Sequence, residues 1–190
     1  MKTSPFPVKA IAAALLVLAF AHTGGAHDLQ ENRASLVLRD SRHLTVTLYV
    51  TYEEALRLAL APQRPPAEFL VMYSAMKPDA FQKELQRAQT KFQSGIRLTL
   101  ADGKELPLTN WNWPDASQVQ SLLQRRIMQA MVDPNGHGDP VEIHADAVAR
   151  DEIATVKIQF PEEFQTVLVV SYRPSQVWVA PKSSSPAIQF

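Results

Sequence analysis

The sequence contains no cysteine among its 190 residues, which excludes disulfides, thiolate catalysis and thiolate metal sites. Glycine is also scarce: the chain has six, and Gly24 and Gly25 are two of them, so little remains for a phosphate-binding loop. No charge of one sign dominates, because 19 basic residues balance 19 acidic ones. Without a basic stripe to neutralise phosphates, nucleic acid is not an expected partner.

Long hydrophobic runs are absent except near the start. Lys2 and Lys9 accompany an apolar run at Val8–Phe20, which a short polar stretch ending at Ala26 follows. That order is typical of a secretory signal peptide, and the run is shorter than the roughly 20 residues of a membrane span. We expect removal of residues 1–26, or alternatively cleavage after Ala21. The mature chain should then be periplasmic or secreted and should have no transmembrane segment.

The mature part, residues 27–190, has the length of one domain. Leu44–Val50 alternates apolar and polar residues like a half-buried strand. Thr51 and Glu54 have the spacing of a capping box, and Pro78–Gln93 is an amphipathic helix with Gly95 in the C-cap position. Further strands are predicted at 34–38, 96–100, 105–108, 141–148, 154–160, 166–172 and 177–179, and further helices at 67–76 and 117–131. This order predicts an α+β domain, with three to four helices packed against a mainly antiparallel sheet; a sandwich-like arrangement stays open.

Four residues are candidate metal ligands. If cleavage follows Ala26, His27 carries both a free α-amino group and an imidazole, and copper binds such nitrogen ligands most tightly. Asp28, His137 and His144 are the further candidates, although the last two do not have the spacing of a helical zinc pair. A copper- or nickel-binding protein is therefore one hypothesis. We favour the simpler interpretation, in which His27 merely follows a cleavage site, His137 lies on a solvated loop and no cofactor binds.

Tryptophan and methionine raise two further alternatives. Tryptophans close together can form a sugar-stacking face, and methionine thioethers suit monovalent copper. We favour packing for both, because methionine at helical spacing is typical of core filling. The residues concerned are Trp111, Trp113, Trp178, Met72, Met76, Met128 and Met131.

No catalytic constellation is recognisable. The chain has no G-x-S-x-G elbow, and its adjacent acidic pairs, Glu53-Glu54 and Glu162-Glu163, should diverge rather than converge on one substrate. We therefore expect no enzymatic activity. A hydrolase acting on an envelope polymer through scattered carboxylates is the remaining enzymatic alternative.

The start of the mature chain resembles a known family. Ala26-His27-Asp28-Leu29, the stretch Leu36–Asp40, and Pro174 near Trp178 are similar to the exported N-terminal region of hydrogenase/urease-accessory (HupE/UreJ-type) membrane proteins. That family continues into a transmembrane bundle, which the present residues do not show. The resemblance therefore implies only a small exported module linked to metal handling.

Together these features predict an exported, non-catalytic binding or accessory module that acts through an envelope or membrane protein partner. Its ligand is not defined by any motif. The N-terminal copper chelate and the hydrolase are the alternatives.

Overall fold

The computed structural model describes residues 32–133, 138, 140–174, 179 and 181. The predicted signal peptide, both cleavage positions, His27, Asp28, His137 and Trp178 lie outside the described residues. All the described residues belong to one compact unit. Four helices and eight strands fall within these ranges, which confirms the predicted α+β class.

Two sheets organise the strands. One has five strands in the order β5-β6-β2-β1-β8, and the other has three in the order β4-β3-β7. All neighbours are antiparallel except β1 and β8, which are parallel. The elements are β1 (Asn32–Leu38), β2 (His43–Val50), α1 (Tyr52–Leu60), α2 (Pro66–Ser74), α3 (Pro78–Gly95), β3 (Arg97–Leu100), β4 (Glu105–Leu106), β5 (Thr109–Asn112), α4 (Ala116–Val132), β6 (Val141–Val148), β7 (Val156–Gln159), a 3₁₀ turn (Glu162–Phe164) and β8 (Val167–Tyr172).

The five-stranded sheet has an inner face in the core and an outer face. Alternation along β2 places Val46 and Leu48 inside, opposite Leu36 and Ala34 of β1, and Leu48 also faces Ile143 of β6. These side chains are almost fully buried and share one core cluster with apolar residues of all four helices. On α3 the buried residues are those that the helical period predicts: Phe81, Leu85, Ala88 and Phe92.

The caps predicted at the start of α1 and at the end of α3 are both wrong. Thr51 does precede α1, but its side chain makes no capping hydrogen bond; instead its backbone N–H donates to Asn32 Oδ1 at 2.7 Å. Gly95 is the last residue of α3 and does not have the positive φ of a C-cap glycine. A close approach of Pro161 explains the glycine, because a Cβ on Gly95 would lie 2.6 Å from Pro161 Cβ.

The region between β3 and α4 also differs from the prediction. The strand predicted at 105–108 ends at Leu106, and a separate strand, β5, then crosses to the other sheet and pairs irregularly with β6. Asn110 has a φ of 54° within it. The capping box of the chain lies just after β5, where Asp115 Oδ1 accepts from the Gln118 N–H at 2.8 Å and Gln118 Oε1 accepts from the Asp115 N–H at 2.9 Å.

Candidate functional site

His144 is the one candidate metal ligand within the described residues. It lies on the outer face of β6, where its Nδ1 contacts Thr47 Oγ1 at 3.2 Å and its Nε2 contacts Glu142 Oε1 at 2.6 Å. The next outward residue, Asp146, accepts from Thr45 Oγ1 at 3.0 Å. Both imidazole nitrogens are therefore engaged by neighbouring side chains. The described ranges contain no group of three histidine or acidic residues arranged to hold a metal ion, and the copper chelate at His27 stays a prediction.

A second histidine, His43, lies at the turn between β1 and β2. Asp40 Oδ1 accepts from the backbone N–H groups of Arg42 at 2.7 Å and His43 at 2.9 Å, while Asp40 Oδ2 contacts His43 Nδ1 at 2.5 Å. The Arg42 backbone hydrogen bond first, and the His43 side chain second, lower the pKa of Asp40 from 3.8 to about 2. The cluster stabilises a turn, and its residues are mostly exposed.

The paired tryptophans, Trp111 and Trp113, are partly buried and pack against the core, as predicted. The Trp113 ring has two near-parallel neighbours, Trp111 at 5.3 Å and Phe92 at 6.1 Å between centroids. Tyr52 lies 6.3 Å from Trp113, and burial raises the pKa of its phenol. Because protein rings already occupy its neighbourhood, Trp113 is a packing residue.

The prediction that methionines fill the core is wrong for three of the four. Met128 and Met131 of α4 are 64% and 73% exposed, and Met72 of α2 is 36% exposed, whereas Met76 packs against the core. On α4 the fully buried residues, Val119 and Leu123, lie in its first half; in its second half Ile127 packs against the core, whereas Met128 and Met131 face away from it.

The acidic pairs are held in separate ion pairs. Glu53 Oε1 lies 3.7 Å from Arg126 Nε of α4, and Glu54 pairs with Arg57 at 2.6 Å within α1. Glu163 pairs with a lysine of α3. Since these three carboxylates have different basic neighbours, the arrangement resembles structural pairing rather than an acid–base dyad.

The feature that the sequence prediction missed is the exposure of β8. Its large apolar side chains, Leu168, Val169, Val170 and Tyr172, are between 42% and 53% exposed, and within the described ranges β8 pairs with β1 alone. Because β8 runs beside β1 in register, Leu168, Val170 and Tyr172 share the outer face with Arg33, Ser35 and Val37. The uninterrupted apolar run at 167–170 distinguishes β8 in the sequence, since apolar and polar residues alternate in an ordinary half-buried strand.

A groove of about 710 Å³ adjoins the inner face of β8. Leu36, Leu38 and Leu44 of the five-stranded sheet line it together with Val156 and Ile158 of β7. Its further lining residues are Glu152, Ile153, Ala154, Thr155, Val169, Ser171, Tyr172 and Arg173. The volume falls in the range of roughly 300–1,000 Å³ of ligand sites, and the lining is divided almost equally between apolar and polar surface. Val169, Ser171 and Tyr172 of β8 are part of this lining, so the groove adjoins the exposed strand; we call the two together the β8 surface.

Comparisons with family models, with curated proteins and with solved structures return no match to this chain. The resemblance to the HupE/UreJ-type region therefore stays a prediction. No helix of the described residues is long and apolar enough to cross a membrane. The β8 surface is accordingly the feature on which a function is best argued.

Proposed function

We propose that the protein is an exported, non-catalytic binding module whose groove beside β8 receives an apolar, extended segment of a protein partner in the cell envelope. The observation that carries this proposal is the groove of about 710 Å³ that adjoins β8, a strand whose apolar side chains are about half exposed. Contiguous exposed apolar surface is uncommon on a monomer and marks interaction sites. Export is proposed on the signal-peptide pattern of residues 1–26.

The shape of the β8 surface favours a protein segment over a small ligand. The groove is open, and residues of β1, β2, β7 and β8 line it together, an arrangement that suits an extended segment. Its polar groups are the hydroxyls of Thr155, Ser171 and Tyr172 and the exposed charges of Glu152 and Arg173. An extended protein segment can place apolar side chains against the leucines of the groove and its own polar groups against these, and it leaves the backbone edge of β8 free.

The energetics indicate that the groove must contribute to binding. Full burial of a large apolar side chain is worth about 1.5–3 kcal/mol, so each half-exposed residue of β8 offers roughly 1 kcal/mol and the four offer about 4 kcal/mol. The loss of translational and rotational freedom on association costs an estimated 4–15 kcal/mol, so even the lowest value of this cost is about as large as what the four side chains offer. A partner that touched β8 alone would therefore bind weakly, and stable binding requires side chains inside the groove.

The test uses Val156→Asp, which places a charge in the groove wall, with Val148→Asp as its matched control. Val148 is an exposed valine on the outer face of β6 and does not line the groove. A photoreactive amino acid at position 156, but not at 148, should crosslink the same envelope protein in cells of the source organism. Calorimetry with that purified protein should show a loss of affinity of about tenfold or more for Val156→Asp and little change for Val148→Asp.

Three results would contradict the proposal. Equal crosslinking from positions 156 and 148 would mean that the contact is not specific to the groove. Equal affinity of both variants would separate the partner from the β8 surface. A tightly held lipid, identified by mass spectrometry in protein purified from the envelope and displaced by Val156→Asp, would make the groove a small-molecule site.

A further inference from the structure

We propose that the outer edge of β8 pairs with β8 of a second copy of this chain, antiparallel and about a two-fold axis at Val170. Two five-stranded sheets would then join into one of ten strands. The groove is not needed for this contact, so the proposal stands apart from the one about a protein partner.

The β8 edge lacks the features by which proteins protect edge strands. Over the six residues Val167–Tyr172 it has no charge, no proline and no glycine, and no bulge interrupts its pairing with β1. Natural edge strands carry lysine, proline or bulges because an unprotected edge is a template for another strand. An uncharged, exposed edge therefore indicates that a strand covers it in the working assembly.

The requirement that paired residues share a face selects the register. Opposite residues of antiparallel strands point to the same side of the sheet, so a two-fold axis must pass through a residue position and not between two. An axis at Val170 places Leu168 opposite Tyr172 of the second copy and Val170 opposite its own counterpart. An axis at Val169 would instead leave Tyr172 beyond the end of the paired strand. Pairing an aromatic side chain with an aliphatic one across the strands is favourable, so Val170 is the better centre.

Charge also permits a second copy. With the axis at Val170, the charged residue that follows β8, Arg173, lies opposite Val167 of the second copy, so no like charges face each other. Without residues 1–26, which contain Lys2 and Lys9 and no acidic residue, the chain has 17 basic and 19 acidic residues, and a net charge near −2 is too small to keep two copies apart. Val148 on β6 is as exposed as Val170 but lies in an interior strand, where edge pairing is not available.

The absence of cysteine makes a direct test possible with Val170→Cys. In the proposed register the two introduced thiols face each other across the axis, within the Cα separation that a disulfide spans. Val169→Cys is the matched control, because its counterpart is then a diagonal neighbour, about 7–8 Å away and too far for a disulfide. Val148→Cys controls for an exposed thiol elsewhere. Under mild oxidation the full-length protein should give mainly covalent dimer for Val170→Cys and mainly monomer for the other two.

Sedimentation of the unmodified chain supplies the second measurement. The dimer fraction should rise with protein concentration, and Val170→Lys should weaken dimerisation by about tenfold or more, because it places two charges face to face. Val148→Lys should leave dimerisation unchanged, as should the groove variant Val156→Asp, which keeps this test separate from that of the partner protein.

Several outcomes would overturn the proposal. A chain that stays monomeric at all protein concentrations would show that β8 does not pair with a second copy. Val169→Cys crosslinking as readily as Val170→Cys would contradict the register. Dimerisation that appears only after residues 175–190 are removed would mean that the chain's own C-terminal segment covers the edge.

Discussion

The contact between Gly95 and Pro161 allows a prediction in which the sign of the change in the free energy of unfolding tests the reasoning. A Cβ added to Gly95 would lie 2.6 Å from Pro161 Cβ, 3.2 Å from Cα and 3.3 Å from Cγ. Pro161 cannot retreat easily, because the 3₁₀ turn that it begins places Phe164 5.1 Å from Phe92 in the core. Glu163 of the same turn is paired with Lys91 of α3.

The magnitude follows from two opposing terms. Replacing glycine by alanine in an unobstructed helix stabilises a protein by roughly 0.5–1 kcal/mol. Forcing an extra methyl into a packed contact costs typically about 1–3 kcal/mol. We therefore expect Gly95→Ala to lower the free energy of unfolding by about 1–2 kcal/mol, measured by urea denaturation at constant m-value.

A double-mutant cycle isolates the contact. Pro161→Gly removes the Cβ that causes the clash but also adds flexibility to the unfolded chain, so on its own it should destabilise by roughly 0.4–1 kcal/mol. In the Gly95→Ala background it should cost less than that, or stabilise, because it relieves the overlap. Stabilisation by Gly95→Ala alone would refute the reasoning, as would effects of the two changes that add within about 0.5 kcal/mol.

Three further predictions address the turn, the core and the helix caps. The pKa of Asp40 is lowered from 3.8 to about 2, so its carboxylate stabilises the fold above pH 4, and this contribution is lost as the pH falls through the folded-state pKa. An NMR titration of Asp40 should give that midpoint. Asp40→Asn should differ from the parent in the free energy of unfolding at neutral pH but not at the acid end of the titration. Phe92→Ala should lower the free energy of unfolding by about 3–5 kcal/mol, whereas the exposed Met131→Ala should change it by less than about 0.5 kcal/mol; similar effects of the two would contradict the core assignment. Asp115→Ala should cost about 1 kcal/mol through loss of the capping box, and a comparable loss in Thr51→Ala would mean that Thr51 is a cap after all.

Elements whose stability is local were predictable from the sequence. The buried face of α3, from Phe81 to Phe92, follows from helical periodicity within one segment, and the alternation of β2 follows from the two-residue repeat of a strand. The turn at Asp40 is likewise built from neighbouring residues. In each case the residues that decide the structure lie within a few positions of one another, so one sequence is enough to read them.

Features decided by distant residues were missed or misread. The capping box predicted at Thr51 fails because Asn32, 19 positions earlier, takes the backbone N–H of Thr51. Gly95 is predicted as a C-cap, but glycine is needed there because Pro161, which lies far along the chain, approaches too closely for a Cβ. Met128 and Met131 have the spacing of core residues, yet no element among the described residues covers the end of α4 enough to bury them. Such contacts have no signature within the local sequence.

The exposure of β8 is the feature decided by distant residues that bears on function. An uninterrupted apolar strand is what a parallel strand covered on both faces looks like in sequence, and β8 is indeed parallel to β1. Its position at the sheet edge leaves the same residues about half exposed, so the composition of β8 fits a covered strand, and among the described residues only β1 pairs with it. An uncharged edge of this kind would recruit further strands unless a specific partner occupied it. The two proposals divide that cover between them: a partner segment over Val169 and the groove, and a second copy along the edge centred on Val170.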